Sequence, residues 1–336
     1  MTPITESQIA RARALIDPIF LGSPIVRQTG LDAALGCSLA LKAETLNPIR
    51  SFKGRGTEAL MASLTNRPTH VVATSSGNFG QGLARAATTR GVRATIFSGE
   101  DDNPGKLEAM RQLGAELRLV PRGGNAKALA RDMAAKAGAL YIEDGAHPEI
   151  AAGAGTIGME LAMQCGALDA VLVQIGDGAL ISGVGSWIKA TSPKTRVIGV
   201  TATGAPSFRA SLKAGKPLGI SPDTIADGMA IDLPIASSVD AVAAIVDDVI
   251  EVDDEAILDA MALLLGSASL VAEPSGAAGV AAIMQNRKMF GGLKIAAIVT
   301  GGNVRPELLA QAAGRADDRA SRATVRRAEW DSAAAL

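Results

Sequence analysis

A lysine set between small residues opens the chemistry of this chain, at Ser51-Phe52-Lys53-Gly54-Arg55-Gly56, after Pro48 and ahead of the helical segment Thr57–Leu64. Flexible backbone there can bring a side-chain amine to a ligand. Burial and a nearby cation both depress a lysine's pKa, which a Schiff-base nucleophile requires. Arg55 either supplies that cation or anchors the helix. A second loop, Thr74-Ser75-Ser76-Gly77-Asn78-Phe79-Gly80-Gln81, follows an apolar run. Hydroxyls and backbone amides at a strand-to-helix turn cradle an anion, and Asn78 adds an amide for a phenolic or carbonyl oxygen. The same residues also fit a capped helix start with Ser75 or Ser76 as N-cap.

A third loop, Gly176-Asp177-Gly178-Ala179-Leu180-Ile181-Ser182-Gly183, is small enough for its amides to approach a phosphate. Ile181 stands where a dinucleotide fingerprint has its third glycine, no acid ends the next strand at Thr201, and the Gly-Lys-Ser/Thr ending of a P-loop is missing. Nucleotide binding is therefore disfavoured. The fourth loop, Thr300-Gly301-Gly302-Asn303, delivers a hydroxyl beside two glycines, fit for a heteroaromatic nitrogen or for nothing more than a tight turn.

Short Val/Ile-rich runs must position these loops. Thr69–Ala73, Val92–Phe97, Glu116–Val120, Ala170–Ile175, Val197–Val200 and Ile295–Val299 read as strands, apolar throughout as parallel strands covered on both faces are. Helical patterns alternate with them, as in Glu255–Leu265 behind the acidic Asp253 and Asp254. The alternation predicts an α/β architecture with its sites at the carboxyl ends of strands. The Gly- and Ala-rich stretch Gly145–Gly155 is expected to be a lobe junction, and the tail from Gly314, where arginines and acids interleave, a solvated helix or frayed end.

Composition bounds the partners. With 33 basic against 34 acidic residues in 336, the chain has no field of one sign to draw nucleic acid or an anionic membrane. A small molecule is the expected partner. Met1–Leu21 carries four charges and no secretory core, and no uncharged run is long enough for a membrane helix. Cys37 and Cys165 support no disulfide framework and fit a reducing cytoplasm, while His70 and His147 lie in no zinc-binding pattern.

In combination these loops resemble the fold type II pyridoxal-phosphate enzymes, specifically the serine/threonine dehydratase and serine racemase branch. The match runs from Gly22-Ser23-Pro24 to Asn303 in the family's order, including Gly153–Ile157, Ala226-Asp227-Gly228 and Glu273-Pro274-Ser275-Gly276-Ala277. The resemblance implies a two-lobed, tryptophan synthase β-like α/β fold of mostly parallel sheets covered by helices. Residues 1–65 and 152–336 would form the large cofactor-binding domain and 66–151 a small domain that closes over substrate. It further implies pyridoxal 5'-phosphate bound to Lys53, with Asn78 on the ring hydroxyl, Thr300 at the pyridine nitrogen, and Phe52 and Gly228 flanking the ring. Gly176, Asp177, Gly178, Ala179 and Leu180 would hold the phosphate, Ser75, Ser76 and Asn78 the substrate carboxylate, and Ser76 an acid/base role opposite Lys53.

The implied activity is β-elimination on a small β-hydroxy amino acid such as L-threonine or L-serine, by a cytoplasmic homodimer. Amino-acid racemisation is the alternative; a β-replacement synthase and a non-catalytic binder rank lower. The chain departs from the branch at Phe79, where histidine is common, and at Asp177 and Ala179, which replace two glycines. An acid beside a phosphate dianion repels it unless turned away or paired. Thr201 stands where members with a divalent-cation site carry glutamate, so no metal is expected, and neither is a regulatory domain after Asn303.

Overall fold

Strands buried on both faces need helices on both, and the middle of the larger sheet meets this condition. Leu172 faces one apolar cluster, while Val171 and Val173 face another. The computed structural model describes residues 4–66 and 68–318; the remainder of the arginine-rich tail lies outside them. The strands are β1 (Ile25–Val26), β2 (Ser38–Ala43), β3 (His70–Thr74), β4 (Arg93–Gly99), β5 (Glu116–Val120), β6 (Leu140–Ile142), β7 (Ala170–Gln174), β8 (Arg196–Ala202), β9 (Asp248–Val252) and β10 (Lys294–Val299). One sheet has the order β1-β2-β10-β7-β8-β9 and the other β5-β4-β3-β6. Every pairing is parallel except β1 with β2. The expected α/β fold is present.

Each run read as a strand is one, to within two residues at either end. Four strands were not legible. β2 is interrupted by Lys42, a charge that reads as a surface residue yet is fully buried; β1 and β6 are two and three residues long; β9 alternates with acids. The segment Glu255–Leu265 is helical over Asp254–Ala268, where the Asp253 side chain caps the Ala256 amide.

One expectation is corrected. The lysine helix begins at Lys53, not Thr57, and runs to Ser63. Gly54 and Gly56, poor helix formers by propensity, are there because the first turn is pressed against its neighbours. A Cβ on Gly54 would lie 2.2 Å from the Phe20 ring, and one on Gly56 2.8 Å from the Ile150 carbonyl. Most of the stretch Gly145–Gly155 lies in a single helix, Pro148–Cys165. Its small residues form a packing seam: a Cβ on Gly153 would meet the Arg55 carbonyl at 2.5 Å, and one on Gly183, in the helix Ala179–Thr191, the Ala151 carbonyl at 2.0 Å.

A buried ionic network ties this seam to β2. Arg55 donates to Glu44 and Glu160 with closest contacts of 2.8 and 2.7 Å, and Lys42 donates to Glu160 at 2.6 Å. Arg55, Lys42 and Glu44 have no exposure at all. Arg55 is thus the anchor of the lysine helix and not a cation acting on Lys53. Burial pushes the Glu160 carboxyl up, but the bonds and charges of Arg55 and Lys42 outweigh it and bring its pKa to about 2. That stabilisation is present above the ordinary value of 4.5 and is lost as pH falls toward 2.

Glu160→Gln, which leaves the two buried cations with Glu44 as the one carboxylate of the network, is expected to cost about 3–5 kcal/mol at pH 7. Urea unfolding reads this, and the gap from wild type should narrow as pH drops below 4.5. An unchanged midpoint at neutral pH would contradict the ionic anchor.

Candidate active site

The lysine loop is stitched to the end of β10. Ser51 bridges Gly301 in antiparallel fashion, Phe52 N–H donates to the Thr300 carbonyl at 3.0 Å, and Gly302 N–H donates to the Arg50 carbonyl at 2.9 Å. Asn47 holds the loop from within: its Nδ2 donates to the Glu44 and Ser51 carbonyls and its Oδ1 accepts from the Ile49 and Ser51 amides. The Ser51 hydroxyl accepts from Lys53 N–H, so the first helical turn starts with its lysine aimed at the strand ends.

There the loops after β3, β7 and β10 converge on one cavity of about 370 Å³. Phe52, Lys53 and Thr300 line it from the stitched loop, Ser75, Ser76, Asn78 and Phe79 from the turn after β3, and Gly176, Asp177, Gly178 and Leu180 from the turn after β7. Gly228 closes it from a 3-10 turn, Asp227–Met229. Ala179 does not line the cavity; it begins the helix Ala179–Thr191 and offers its backbone amide.

Lys53 Nζ sits 2.6 Å from Asp144 Oδ2 and 2.6 Å from Asp177 Oδ2, and 5.1 and 5.9 Å from the ring centres of Phe52 and Phe79. Burial works against its charge, but the two carboxylates win and hold the ammonium above the ordinary lysine range. This reverses the expected depression, because Arg55 faces away into its own network while two acids face the amine. Burial and the neighbouring Asp177 push Asp144 up to about 7, whereas Lys53, opposing the effect of burial, holds Asp177 below its usual value.

The turn after β7 is built for close approach. A Cβ on Gly176 would lie 2.4 Å from the Gly228 carbonyl, and Gly178 has φ +93°. Asp177 Oδ1 accepts from the Ala179 amide at 2.7 Å. An oxygen anion therefore already rests on the helix N-terminus where an anionic ligand would be received. Asp177 is paired, satisfying the condition on which an acid is tolerated there.

After β3, Ser75 proves to be the turn's cap, its hydroxyl accepting from the Gly77 and Gly80 amides at 3.2 and 2.9 Å. Asn78 is fixed at both ends of its amide: Nδ2 donates to Glu273 Oε1 at 2.5 Å and Oδ1 accepts from Asn303 Nδ2 at 2.8 Å. One Nδ2 hydrogen remains for a ligand. The Thr74 hydroxyl, buried on the same wall, has no hydrogen-bond partner among the described residues.

Sequence reasoning missed two residues here. Lys106, on the helix Pro104–Gln112, reads as a solvated helix lysine but is buried, with Nζ 2.8 Å from Asp227 and 3.0 Å from Glu273. It links the elements around the smaller sheet to loops of the larger one. Asp144 follows β6, a strand too short to announce that a site residue would stand at its carboxyl end.

An amine flanked by acids, a glycine turn that takes an anion, an oriented amide and an unpartnered hydroxyl fit pyridoxal phosphate, which carries an aldehyde, a phosphate and a polar-edged ring. Comparison with known proteins agrees. The chain is 35% identical to the L-threonine ammonia-lyase of Thermotoga maritima over 308 residues, 90% of this chain and 76% of that protein. It is 32% identical to a serine racemase of Oryza sativa subsp. indica, over 88% of this chain and 90% of the relative. Among solved structures, maize serine racemase superposes with a TM-score of 0.84 at 31% identity, over 95% of this chain and 99% of that one. A solved threonine deaminase superposes with a TM-score of 0.83 at 35% identity, over 89% of this chain and 98% of that one. The profile described as "Pyridoxal-phosphate dependent enzyme" matches residues 16–301, and the chain belongs to that family.

Proposed function

We propose that this enzyme is a pyridoxal-phosphate-dependent ammonia-lyase (dehydratase) that converts a β-hydroxy amino acid, in the manner of L-threonine or L-serine, to a 2-oxo acid and ammonia. The observation that carries the reading is Lys53 at the convergence of three strand-end loops, beside an anion-accepting turn. Relatives named threonine ammonia-lyase support the reaction.

When bound, the cofactor supplies an aldehyde that captures amines and a ring that absorbs the electron pair left when Cα loses its proton. The chain does the rest. Lys53, an ammonium between two acids, yields a proton to a carboxylate before its nitrogen can act as nucleophile, and once released it is the base for Cα–H. Amides of Gly176 through Leu180 would hold the phosphate, Asn78 would donate to the ring hydroxyl, and Phe52 and Gly228 would flank the ring. Ser75, Ser76, Asn78 and Phe79 receive the substrate. Thr300 would bring a neutral hydroxyl to the ring nitrogen; a hydroxyl, unlike a carboxylate, need not keep that nitrogen protonated, which would favour loss of a β-substituent over transamination. The β-hydroxyl leaves as water, and hydrolysis of the dehydrated amine returns one water, so substrate equals oxo acid plus ammonia in atoms.

Residues 66–151 form the lobe that closes on substrate and the remainder the lobe that holds the cofactor, with the Lys106 ion pairs running between them. A homodimer, implied by the sequence resemblance, in the reducing cytoplasm that Cys37 and Cys165 fit completes the reading. Ser76, on the cavity wall, is the residue that a racemase would use as its second acid/base.

Lys53→Ala is expected to abolish the visible chromophore and to lower turnover by at least about 10²–10⁴-fold, as absorbance and keto-acid assays would register; a variant that stays coloured and active removes Lys53 from the mechanism. Asp177→Gly, which deletes a negative charge beside the phosphate turn, should tighten cofactor binding about tenfold in a fluorescence titration, and equal or weaker binding would mean the acid is no obstacle. Enantiopure serine and threonine distinguish the two reactions: keto acid and ammonia should accumulate, and appearance of the opposite enantiomer instead would make the enzyme a racemase.

A further inference from the structure

Five carboxylates line the cavity, and four of them have donors other than Lys53. Lys106 serves Asp227 and Glu273, the Ser98 hydroxyl and Gly99 amide donate to Asp102, and the Ala179 amide donates to Asp177. The fifth is Asp144. Its Oδ2 accepts from Lys53 Nζ at 2.6 Å, and its Oδ1 is buried without a hydrogen-bond partner among the described residues. Asp177 Oδ2 lies 2.6 Å from the same nitrogen, so two acids share one cation.

Elimination of water asks for two opposite groups at once, a base for Cα–H and an acid for the departing hydroxyl. Lys53, released between the two acids when the substrate amine takes its place on the cofactor, is a base only after its ammonium has lost a proton. No cation then stands between the acids, and two buried carboxylates sharing a site cannot both stay ionised. The proton therefore stays on the pair. Asp144 keeps it, because burial without a second donor favours its neutral form, whereas the Ala179 amide at a helix N-terminus favours the Asp177 anion. Burial and Asp177 push Asp144 up to about 7 even with the ammonium beside it, and loss of that charge pushes it further in the same direction. Glu143, next in the chain, is occupied elsewhere by Lys127 and Arg131.

We propose that Asp144 is the general acid of the elimination, created by the same proton transfer that makes Lys53 the base. The inference rests on the β-elimination reading above and assigns a further catalytic residue to that site. Lys53 passes one proton to Asp144 and takes another from Cα. The Cα–H electron pair becomes the Cα–Cβ double bond as the Cβ–O bond breaks with its pair on oxygen. Asp144 gives its proton to that oxygen, which leaves as water. Lys53 ends as an ammonium and Asp144 as a carboxylate, the pair seen in the structure, so the step draws no proton from solvent.

Serine and β-chloroalanine, compared on the holoenzyme, separate this role from a structural one, because chloride departs without a proton. Asp144→Asn should lower kcat for serine by about 10²–10⁴-fold and that for β-chloroalanine by less than about tenfold. Turnover of the chloride also shows that the variant folds. Asp144→Glu, which keeps the carboxyl, should recover part of the serine rate. Equal losses on the two substrates, or an unchanged serine rate, would overturn the proposal while leaving β-elimination in place; wild-type enzyme that eliminates from neither substrate would sink both. A second arm reads the proton without turnover. At neutral pH the infrared spectrum of Lys53→Ala should contain the carbonyl stretch of a protonated carboxylic acid, and Lys53→Ala/Asp144→Asn should lack it. A band missing from the single variant, or persisting in the double one, would also overturn the assignment.

Discussion

Four charges sealed beneath the cavity floor hold the catalytic machinery in register. Arg55, Lys42, Glu44 and Glu160 come from the lysine helix, β2, the loop after it, and the helix Pro148–Cys165. Two cations and two anions cancel, so burial costs desolvation but leaves no net charge, and each partner is oriented by charged hydrogen bonds. Arg55 lies two residues from Lys53, so the lysine cannot drift along the seam without breaking a buried pair. The glycines complete the constraint. Where backbone meets backbone at Gly153 and Gly183, a side chain has no room, and the three helices can approach only in this register.

Upon that floor the cavity is assembled from the ends of parallel strands, as open α/β sheets allow. The loops after β3, β7 and β10 each contribute something that a neighbouring residue type could not: a fixed amide at Asn78, a glycine turn that accepts an anion at Gly176–Gly178, a neutral hydroxyl at Thr300. Lys106 reaches across from the smaller sheet and pairs with Asp227 and Glu273. Glu273 in turn holds Asn78, so the Lys106 contact and the amide orientation belong to one chain of polar contacts.

The electrostatic character of the cavity is acidic, although the chain as a whole is almost neutral. Net charge therefore says little about the local field, which five carboxylates dominate. Asp177, an acid in the turn after β7, is held in place there by Lys53 and the Ala179 amide.

That Lys53, the Ser75–Phe79 turn, the Gly176–Leu180 turn and Thr300 meet at one cavity was legible in the sequence because its signals are local: residue type, small neighbours and position after an apolar run. The α/β fold was legible for the same reason, as burial on both faces leaves continuous Val/Ile runs. What tertiary structure alone decided was every property set by distance across the chain. The direction of the Lys53 shift depends on acids 91 and 124 positions away, and the role of Arg55 on a glutamate 105 positions away. Lys42 and Lys106 read as surface residues until partners from other elements buried them. Electrostatic energy follows separation and solvent exclusion, and neither is written in the order of residues.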